Sequence, residues 1–306
     1  MKAKAQRTAA RAPRKAAKPA AAKRSAVREV PKRTGTRETP KRAGARAAPK
    51  RAGARATVSA LDRGLSLLQC FSVEHSELSA TELAKLTGIP RPSVSRLAAT
   101  LIGHRWLRAG PGGDRYMLGA GVVSLAQVFL AGLDVRAAAR APMQALAERT
   151  GGSVYLALRD GLEMVLVEAC RPRSSMLAAR LDVGSRVPLP NSALGRAYLG
   201  AVDDATRARV VESLRLARGS DWPALEAGLQ RALAERQKTG WCLSAGDFHR
   251  EINSVSVALT DARGDVMSFN CGGSAFVFTE ERLRAEVGPA LRAMVEAIAA
   301  EIGGKA

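Results

Sequence analysis

The feature that most limits the fold of this chain is the concentration of positive charge at one end. The first 55 residues hold 19 of the 48 lysines and arginines but only two acidic side chains, Glu29 and Glu38. They contain almost no large apolar side chains, so burial cannot offset the entropy that ordering would cost. We therefore predict that residues 1–56 form a disordered basic tail and that residues 57–306 fold, with a net charge of +3 out of the chain's +20.

A nine-residue repeat lies within this tail. Near-identical copies of Pro-Lys-Arg-X-Gly-X-Arg begin at Pro31, Pro40 and Pro49. The paired basic residues resemble the tails of histone-like proteins, which neutralise phosphates without reading base sequence. Two other interpretations stay open: a tail that only aids solubility, and a start codon assigned upstream of the true one.

The cysteines exclude two classes of small domain. They lie far apart, with no CxxC pair and no histidine at metal-ligand spacing, at Cys70, Cys170, Cys242 and Cys271. This pattern is neither a disulfide framework nor a zinc site, and it fits a reducing cytoplasm. We expect no metal and no cofactor.

Neither a secretory signal nor a membrane span is expected. The charged start is not followed by an apolar stretch. The nearest approach to a span, residues 117–133, is interrupted by Ser124 and Gln127 and is rich in glycine and alanine. We interpret it as a packed interdomain helix.

Residues 57–119 carry three helical patterns followed by a hairpin. The first has an apolar stripe, with Ser59 and Asp62 as an N-cap pair; the stripe is Val58, Leu61, Leu65 and Leu68. The second begins with the capping box of Ser79 and Glu82 and ends at Gly88.

The third helix has the character of a DNA recognition helix. Pro92 lies at its first position, where a missing N–H costs nothing. One face is apolar: Val94, Leu97, Ala98, Leu101 and Ile102. The other face carries basic and hydroxyl side chains, which suit phosphates and base edges in a major groove.

Two short strands around a glycine-rich turn, at residues 106–108 and 115–118, complete a winged helix-turn-helix. Its DNA-binding candidates are Ser79, Thr81, Arg91, Pro92, Ser93, Ser95, Arg96, Arg108 and Arg115. The alternative is a helical unit that serves only in protein contacts.

The remaining residues predict linker helices and then an α+β domain. Residues 120–150 contain two helical patterns, and the apolar face of the first needs a partner, which favours self-association. In residues 151–306, strands come first, then helices, then strands and a closing helix from Glu280 to Ile302. A strand is expected from Met176 to Leu181 and a loop over residues 183–193. This order indicates a sheet with helices packed against it, not a βαβ series.

The run ELSATELAKLTGIPRPSVSRLAATLIGHRWLR, followed by RYMLG, resembles the DNA-binding domain of the IclR family of bacterial transcriptional regulators. The second half is similar to the effector-binding domain of that family, a GAF-like sheet, in the motifs NSALGRA and TGW. The resemblance covers about residues 57 to 303. Two positions depart from the family: Pro92, and Asn270-Cys271-Gly272-Gly273 in place of Ser-x-Ser-Gly-Pro.

The resemblance implies a pocket for a small effector. Its candidates are Met176, Asn191, Ser192, Ala193, Ser244, Ile252, Ser254, Asn270 and Cys271. Hydroxyl, amide and thiol groups in an apolar cup suit a carboxylate, and Arg186 adds a donor near a helix N-terminus. For each residue the alternative is a polar group satisfied within a strand.

Catalysis is not expected, because Cys271 as a nucleophile would have only His249 as an unplaced base. We predict a sequence-specific transcriptional regulator that binds double-stranded DNA as a homodimer or homotetramer and responds to a small organic acid. The alternative is a constitutive DNA-compacting protein in which the second half only oligomerises.

Overall fold

The computed structural model of the chain describes residues 58–173 and 181–306. The predictions for the basic tail lie outside the described residues. So do those for residues 174–180, which include Met176 and most of the strand expected there.

The N-terminal part is a winged helix-turn-helix, as predicted. Its helices are α1 (Ser59–Leu68), α2 (Ala80–Thr87) and α3 (Arg91–Gly103). Its strands are β1 (Glu77–Ser79), β2 (Leu107–Ala109) and β3 (Arg115–Leu118), paired in the order β1-β3-β2. Strand β1 was not predicted, because three residues directly before a helix carry no alternating pattern of their own.

The capping signals of α2 and the stripe of α1 had different outcomes. The Glu82 N–H donates to Ser79 Oγ at 3.2 Å and the Ser79 N–H to Glu82 Oε2 at 2.8 Å, so the predicted capping box is present. In α1 the N-cap is Val58, with no side-chain cap, so the predicted Ser59 pair is wrong. The helix predicted from the apolar stripe is present, but the stripe does not face the core: Val58, Leu61 and Leu65 are exposed. Leu67 fills the core instead.

Two helices follow the wing, α4 (Gly121–Ala131) and α5 (Asp134–Thr150), with an angle of 85° between them. The helix predicted over residues 117–133 is present but shorter, because residues 117 and 118 belong to β3 and α4 begins at Gly121. No residue of α4 is fully buried, and Leu130 and Leu133 are partly buried against the core. No single helix among the described residues is both long and apolar enough to cross a membrane; α4 and α5 meet that test only when counted together.

The C-terminal part contains a six-stranded sheet in which every paired strand is antiparallel. Its strands are β4 (Ser153–Asp160), β5 (Glu163–Cys170), β6 (Arg186–Pro188), β7 (Cys242–His249), β8 (Ile252–Thr260) and β9 (Val266–Ser274). Their order is β6-β5-β4-β9-β8-β7. Strand β6 lies inside the segment predicted as a loop. The sequence pattern predicts strands at Trp241–Leu243 and Val266–Cys271, and β7 and β9 extend beyond these ends to His249 and Ser274. The predicted fold class, α+β, is confirmed.

The helices of this part follow the predicted order. They are α6 (Ala193–Ala201), α7 (Asp204–Arg218), α8 (Trp222–Thr239), α9 (Glu280–Arg282) and α10 (Gly288–Glu301). The single closing helix that was predicted is interrupted by a π-helical turn over Leu283–Val287.

Strand alternation divides the sheet residues between two cores. Phe269 and Cys271 of β9 pack with α5 and α10. Asn270, between them, lies opposite Tyr155 of β4 and Ser256 of β8, and Tyr155 packs on the α6 side. Because successive side chains of a strand point to opposite faces, this register decides which of them can reach a cavity beside α6.

Candidate DNA-binding surface and ligand cavity

The first two turns of α3 present free basic groups. Arg91, Pro92, Ser95 and Arg96 are exposed and Ser93 is half-buried. In the described part of the chain, neither Arg91 nor Arg96 forms an ion pair or a side-chain hydrogen bond. Their guanidinium groups can therefore contact phosphates or base edges without breaking an existing interaction.

The two wing arginines differ. Arg108 of β2 is exposed. Arg115 of β3 forms an ion pair with Glu82 at 3.1 Å and donates to the carbonyl of Glu77 at 3.0 Å. Hydrogen bonds from the N–H and hydroxyl of Ser79, with Arg115 beside them, lower the pKa of Glu82. Arg115 therefore ties β3 to β1 and α2, a contact that its sequence position did not reveal.

The two remaining candidates lie at the start of α2. The Ser79 hydroxyl donates to Glu82 Oε2 at 2.8 Å, so its hydrogen-bonding capacity is used within the capping box. Thr81 is exposed in the first turn.

A cavity of about 270 Å³ lies on the α6 side of the sheet. Five of the predicted effector residues line it: Ser192, Ala193, Ile252, Ser254 and Asn270. Asn191, Ser244 and Cys271 do not. The structure therefore brings five of the predicted residues together around one cavity and places three outside its lining.

Cys271 lies outside the cavity because it follows Asn270 in β9 and therefore packs on the opposite face of the sheet. Its sulfur lies 3.6 Å from Thr150 Oγ1 of α5. Burial raises the pKa of Cys271 to about 11, so the thiol is protonated at neutral pH and is not an activated nucleophile.

Ser244 and Asn191 lie outside the cavity lining and form hydrogen bonds that connect the segment before α6 to β7. The Ser244 hydroxyl donates to the carbonyl of Asn191 at 2.9 Å. The Asn191 amide donates to the carbonyl of Asp247 at 3.0 Å. Arg186 lies on β6, where it pairs with Asp160 and Glu163, outside the cavity lining.

Sequence reasoning missed several lining residues. They are Ser153, Tyr155, Leu181, Val187, Leu194, Phe248, His249, Glu251, Gly272, Gly273 and Ser274. Tyr155 could have been found, because it shares a face with Asn270 once β4 and β9 are paired. Phe248 could not, because β7 was expected to end before it.

The polar groups of this cavity are mainly neutral. Its lining contains one carboxylate, Glu251, and one imidazole, His249, both exposed, and neither arginine nor lysine among the described residues. Ala193 and Leu194 are the first two residues of α6, and their N–H groups have no intrahelical acceptor. Ser192 caps the helix by accepting from the Gly195 N–H at 3.1 Å. These free N–H groups and the helix dipole favour a negatively charged ligand group.

A metal site is absent from the described residues: no group of three or more histidine, cysteine, aspartate or glutamate side chains could hold an ion there.

Residues 127–300 match the family model "Bacterial transcriptional regulator IclR C-terminal", and residues 60–111 match the "IclR helix-turn-helix domain". HTH-type transcriptional regulator TsaQ1/TsaQ2 of Comamonas testosteroni is 34% identical over 247 residues, which cover 80% of this chain and 88% of that protein. The Pca regulon regulatory protein of Pseudomonas putida is 26% identical, over 69% of this chain and 72% of that protein.

Solved structures agree with these matches. An IclR family transcriptional regulator from Brucella abortus superposes with a TM-score of 0.73 and 37% identity, over 81% of this chain and 94% of that one. An IclR homolog from Microbacterium hydrocarbonoxydans, complexed with 4-hydroxybenzoate, has a TM-score of 0.63 at 19% identity, over 79% and 97% of the two chains, and shows the fold alone. Both halves of the chain thus match the same family, and the protein belongs to the IclR family of bacterial transcriptional regulators.

Proposed function

We propose that this regulator recognises an operator through α3 and that a small carboxylic acid in the cavity beside α6 changes its affinity for that operator. One observation carries the proposal: free arginines on a recognition helix and free helix N–H groups in a cavity occur in a single chain. A ligand can change DNA affinity only if it binds two conformations of the protein differently.

We propose that residues 57–119 form the DNA-binding domain, residues 120–150 the linker and residues 151–306 the effector domain. In the DNA-binding domain, Arg91, Ser95 and Arg96 are our candidates for base contacts. Arg108 is our candidate for contact with the DNA backbone. Arg115 is a weaker candidate, because its guanidinium is already bound by two glutamates.

We expect a chain that lacks residues 1–55 to keep a preferred DNA site and to lose general affinity. The truncation removes most of the net positive charge, so the dependence of affinity on salt should become shallower. The measurement is selection from a random duplex library, followed by fluorescence anisotropy at several salt concentrations. Loss of all discrimination between sites would favour the constitutive DNA-compacting alternative.

Arg96→Ala in the truncated chain is the matched test of α3. It should weaken binding at the selected site by roughly 1–3 kcal/mol. Arg209→Ala, which removes an arginine of α7 whose side chain donates to Thr206, is the control. Equal weakening on random DNA would mean that Arg96 contacts only phosphate.

For the effector we propose a carboxylate with an apolar body. The support is the N-terminus of α6 together with the apolar side chains of Tyr155, Leu181, Val187 and Phe248 in the same lining. A volume of about 270 Å³ restricts the ligand to small molecules. The 4-hydroxybenzoate complex of a distant relative makes that acid a sensible first compound to test.

We expect at least one small carboxylate to raise the melting temperature of the full chain, and Ala193→Pro to reduce that shift. A ligand at a hundred times its Kd stabilises by about 2.7 kcal/mol. Proline is tolerated at the first helical position, and Ser192 before it is extended, so the variant removes one N–H donor at little conformational cost. The measurement is a thermal-shift screen of aliphatic and aromatic acids. An undiminished shift in Ala193→Pro would contradict binding at the α6 N-terminus.

We further propose that the chain self-associates as a homodimer or homotetramer. Four large apolar side chains of α4 are exposed: Val123, Leu125, Val128 and Phe129. Val58, Leu61 and Leu65, which we call the outward stripe of α1, are exposed as well, and patches of this kind mark interfaces. A dimer would place two copies of α3 in successive major grooves.

The relatives named above are transcriptional regulators. We propose that this chain acts in the cytoplasm and is not an enzyme. The buried, protonated thiol of Cys271 supports that view.

A further inference from the structure

A buried arginine behind the cavity binds the loop before α6 and two positions in β7. Arg196 of α6 is only 4% exposed. Its Nε donates to the carbonyl of Pro190 at 3.0 Å, and its Nη1 to the carbonyl of Leu243 at 2.8 Å. The same Nη1 lies 2.7 Å from Asp247 Oδ2. One cation thus connects the loop before α6, the start of β7 and a later part of β7.

That later part of β7 is a bulge, which we define as residues 246–248. The pairing of β7 with β8 shifts between Ala245 and His249. Gly246 has a φ of +69°, a conformation that glycine adopts without strain. The bulge turns Phe248 towards the cavity, where it is part of the lining.

The bulge is held from two directions by the segment around the start of α6. Arg196 binds the Asp247 side chain, and the Asn191 amide binds the Asp247 carbonyl at 3.0 Å. A buried charge is costly to leave unpaired, so Arg196 strongly favours the arrangement in which Asp247 reaches it. Space behind the guanidinium is tight: a Cβ at position 228 of α8 would lie 2.8 Å from Arg196 Nη2.

These contacts bring together two walls of the same cavity. Residues 192–194 form one wall, and Phe248 and His249 belong to the other. Between them, Arg196 and Asp247 make the one ion pair that joins α6 to the bulge in the described part of the chain. If that pair is broken, the neutral hydrogen bond from Asn191 to Asp247 remains, but the ion pair no longer holds the bulge and Phe248 beside the α6 N-terminus.

We propose that Arg196 and Asp247 are positioning residues of the effector cavity, and that their ion pair fixes the β7 bulge, and with it Phe248, against the start of α6. The proposal rests on the cavity being the effector site. Its test, however, needs no ligand, so failure to find an effector and failure of this proposal are separate results.

The experiment is hydrogen–deuterium exchange of the full chain, followed by mass spectrometry, for the wild type and Asp247→Asn. Asp247 is 39% exposed, so asparagine fits the site while the charge is lost. Amides in residues 245–250 and 191–195 should exchange at least ten-fold faster, and those in residues 255–269 of β8 and β9 should be unchanged. Glu296→Gln, which breaks the 2.7 Å pair of Glu296 with Arg292 on α10, is the control and should alter neither segment.

A second variant separates positioning from general destabilisation. Arg196→Lys keeps the charge, but its three N–H donors belong to one nitrogen atom, which cannot occupy the positions of both Nε and Nη1. It should therefore reproduce the local increase. The global stability of each variant is measured by urea unfolding alongside. Faster exchange that extends equally through residues 255–269, or no increase at residues 245–250, would overturn the proposal.

Discussion

Arg136→Ala is expected to lower the free energy of unfolding of the C-terminal part by about 3 kcal/mol. Arg136 of α5 donates through Nη2 to Glu168 Oε2 at 2.8 Å, and the Glu168 side chain on β5 is only 5% exposed. Removing one partner of a buried ion pair leaves the other charge without compensation, at a cost of roughly 3–5 kcal/mol. The lower end applies because Arg140 remains 3.6 Å from the other carboxylate oxygen.

Urea unfolding of the full chain, followed by circular dichroism, measures this loss. Arg140→Ala is the matched control, because it removes a second arginine from the same carboxylate but one that is 72% exposed. Exposed pairs contribute about 1 kcal/mol or less, so the control should be nearly as stable as the wild type. An equal loss of unfolding free energy in Arg136→Ala and Arg140→Ala would contradict the prediction that the buried partner of Glu168 contributes more than the exposed one.

The same substitution should also loosen the corner between α4 and α5. Arg136 Nη1 donates to the carbonyl of Leu130 at 3.1 Å, in the last turn of α4. Carbonyl groups at a helix end have no intrahelical donor, so this bond secures the end of α4 to the side chain that binds the sheet. Arg136 is thus a direct link between the end of α4 and β5.

Local signals predicted the DNA-binding domain well. The capping box of Ser79 and Glu82 and the turn at Gly88, whose φ is 72°, depend on residues within one helical turn of each other. The apolar stripe of α1 correctly indicated a helix but did not identify its core-facing residues, because a stripe does not show whether the partner of a helix is in the same chain. The local sequence did not indicate the contacts of Arg115, because its partner Glu77 lies 38 positions away.

The cavity was predicted only in part, because it depends on strand register. A shift of one residue exchanges the two faces of a strand, and this separates Asn270, in the cavity, from Cys271, in the opposite core. Phe248 enters the cavity through a bulge whose anchor, Arg196, lies on another helix. No pattern within residues 242–249 indicates that contact.

If the protein self-associates through α4 as proposed, Val128→Asp is expected to convert it to a monomer and to abolish tight operator binding. Val128 lies on α4, which has no buried residue, and is 74% exposed among other exposed apolar side chains of that helix: Val123, Leu125 and Phe129. If α4 packs against a second copy, the new carboxylate is removed from water at a cost of several kcal/mol. Each 1.4 kcal/mol is a factor of about ten, so the dimer dissociation constant should rise at least 100-fold.

Sedimentation velocity over a concentration series measures the change in mass, and anisotropy on the selected operator measures the loss of the second half-site. Val73→Asp is the matched control, because it makes the same substitution at an isolated loop valine that is 94% exposed. It should alter neither the mass nor the affinity, since a charge in water carries no desolvation cost. A Val128→Asp protein that keeps the wild-type mass would place the subunit contact elsewhere, with the outward stripe of α1 as the next surface to test.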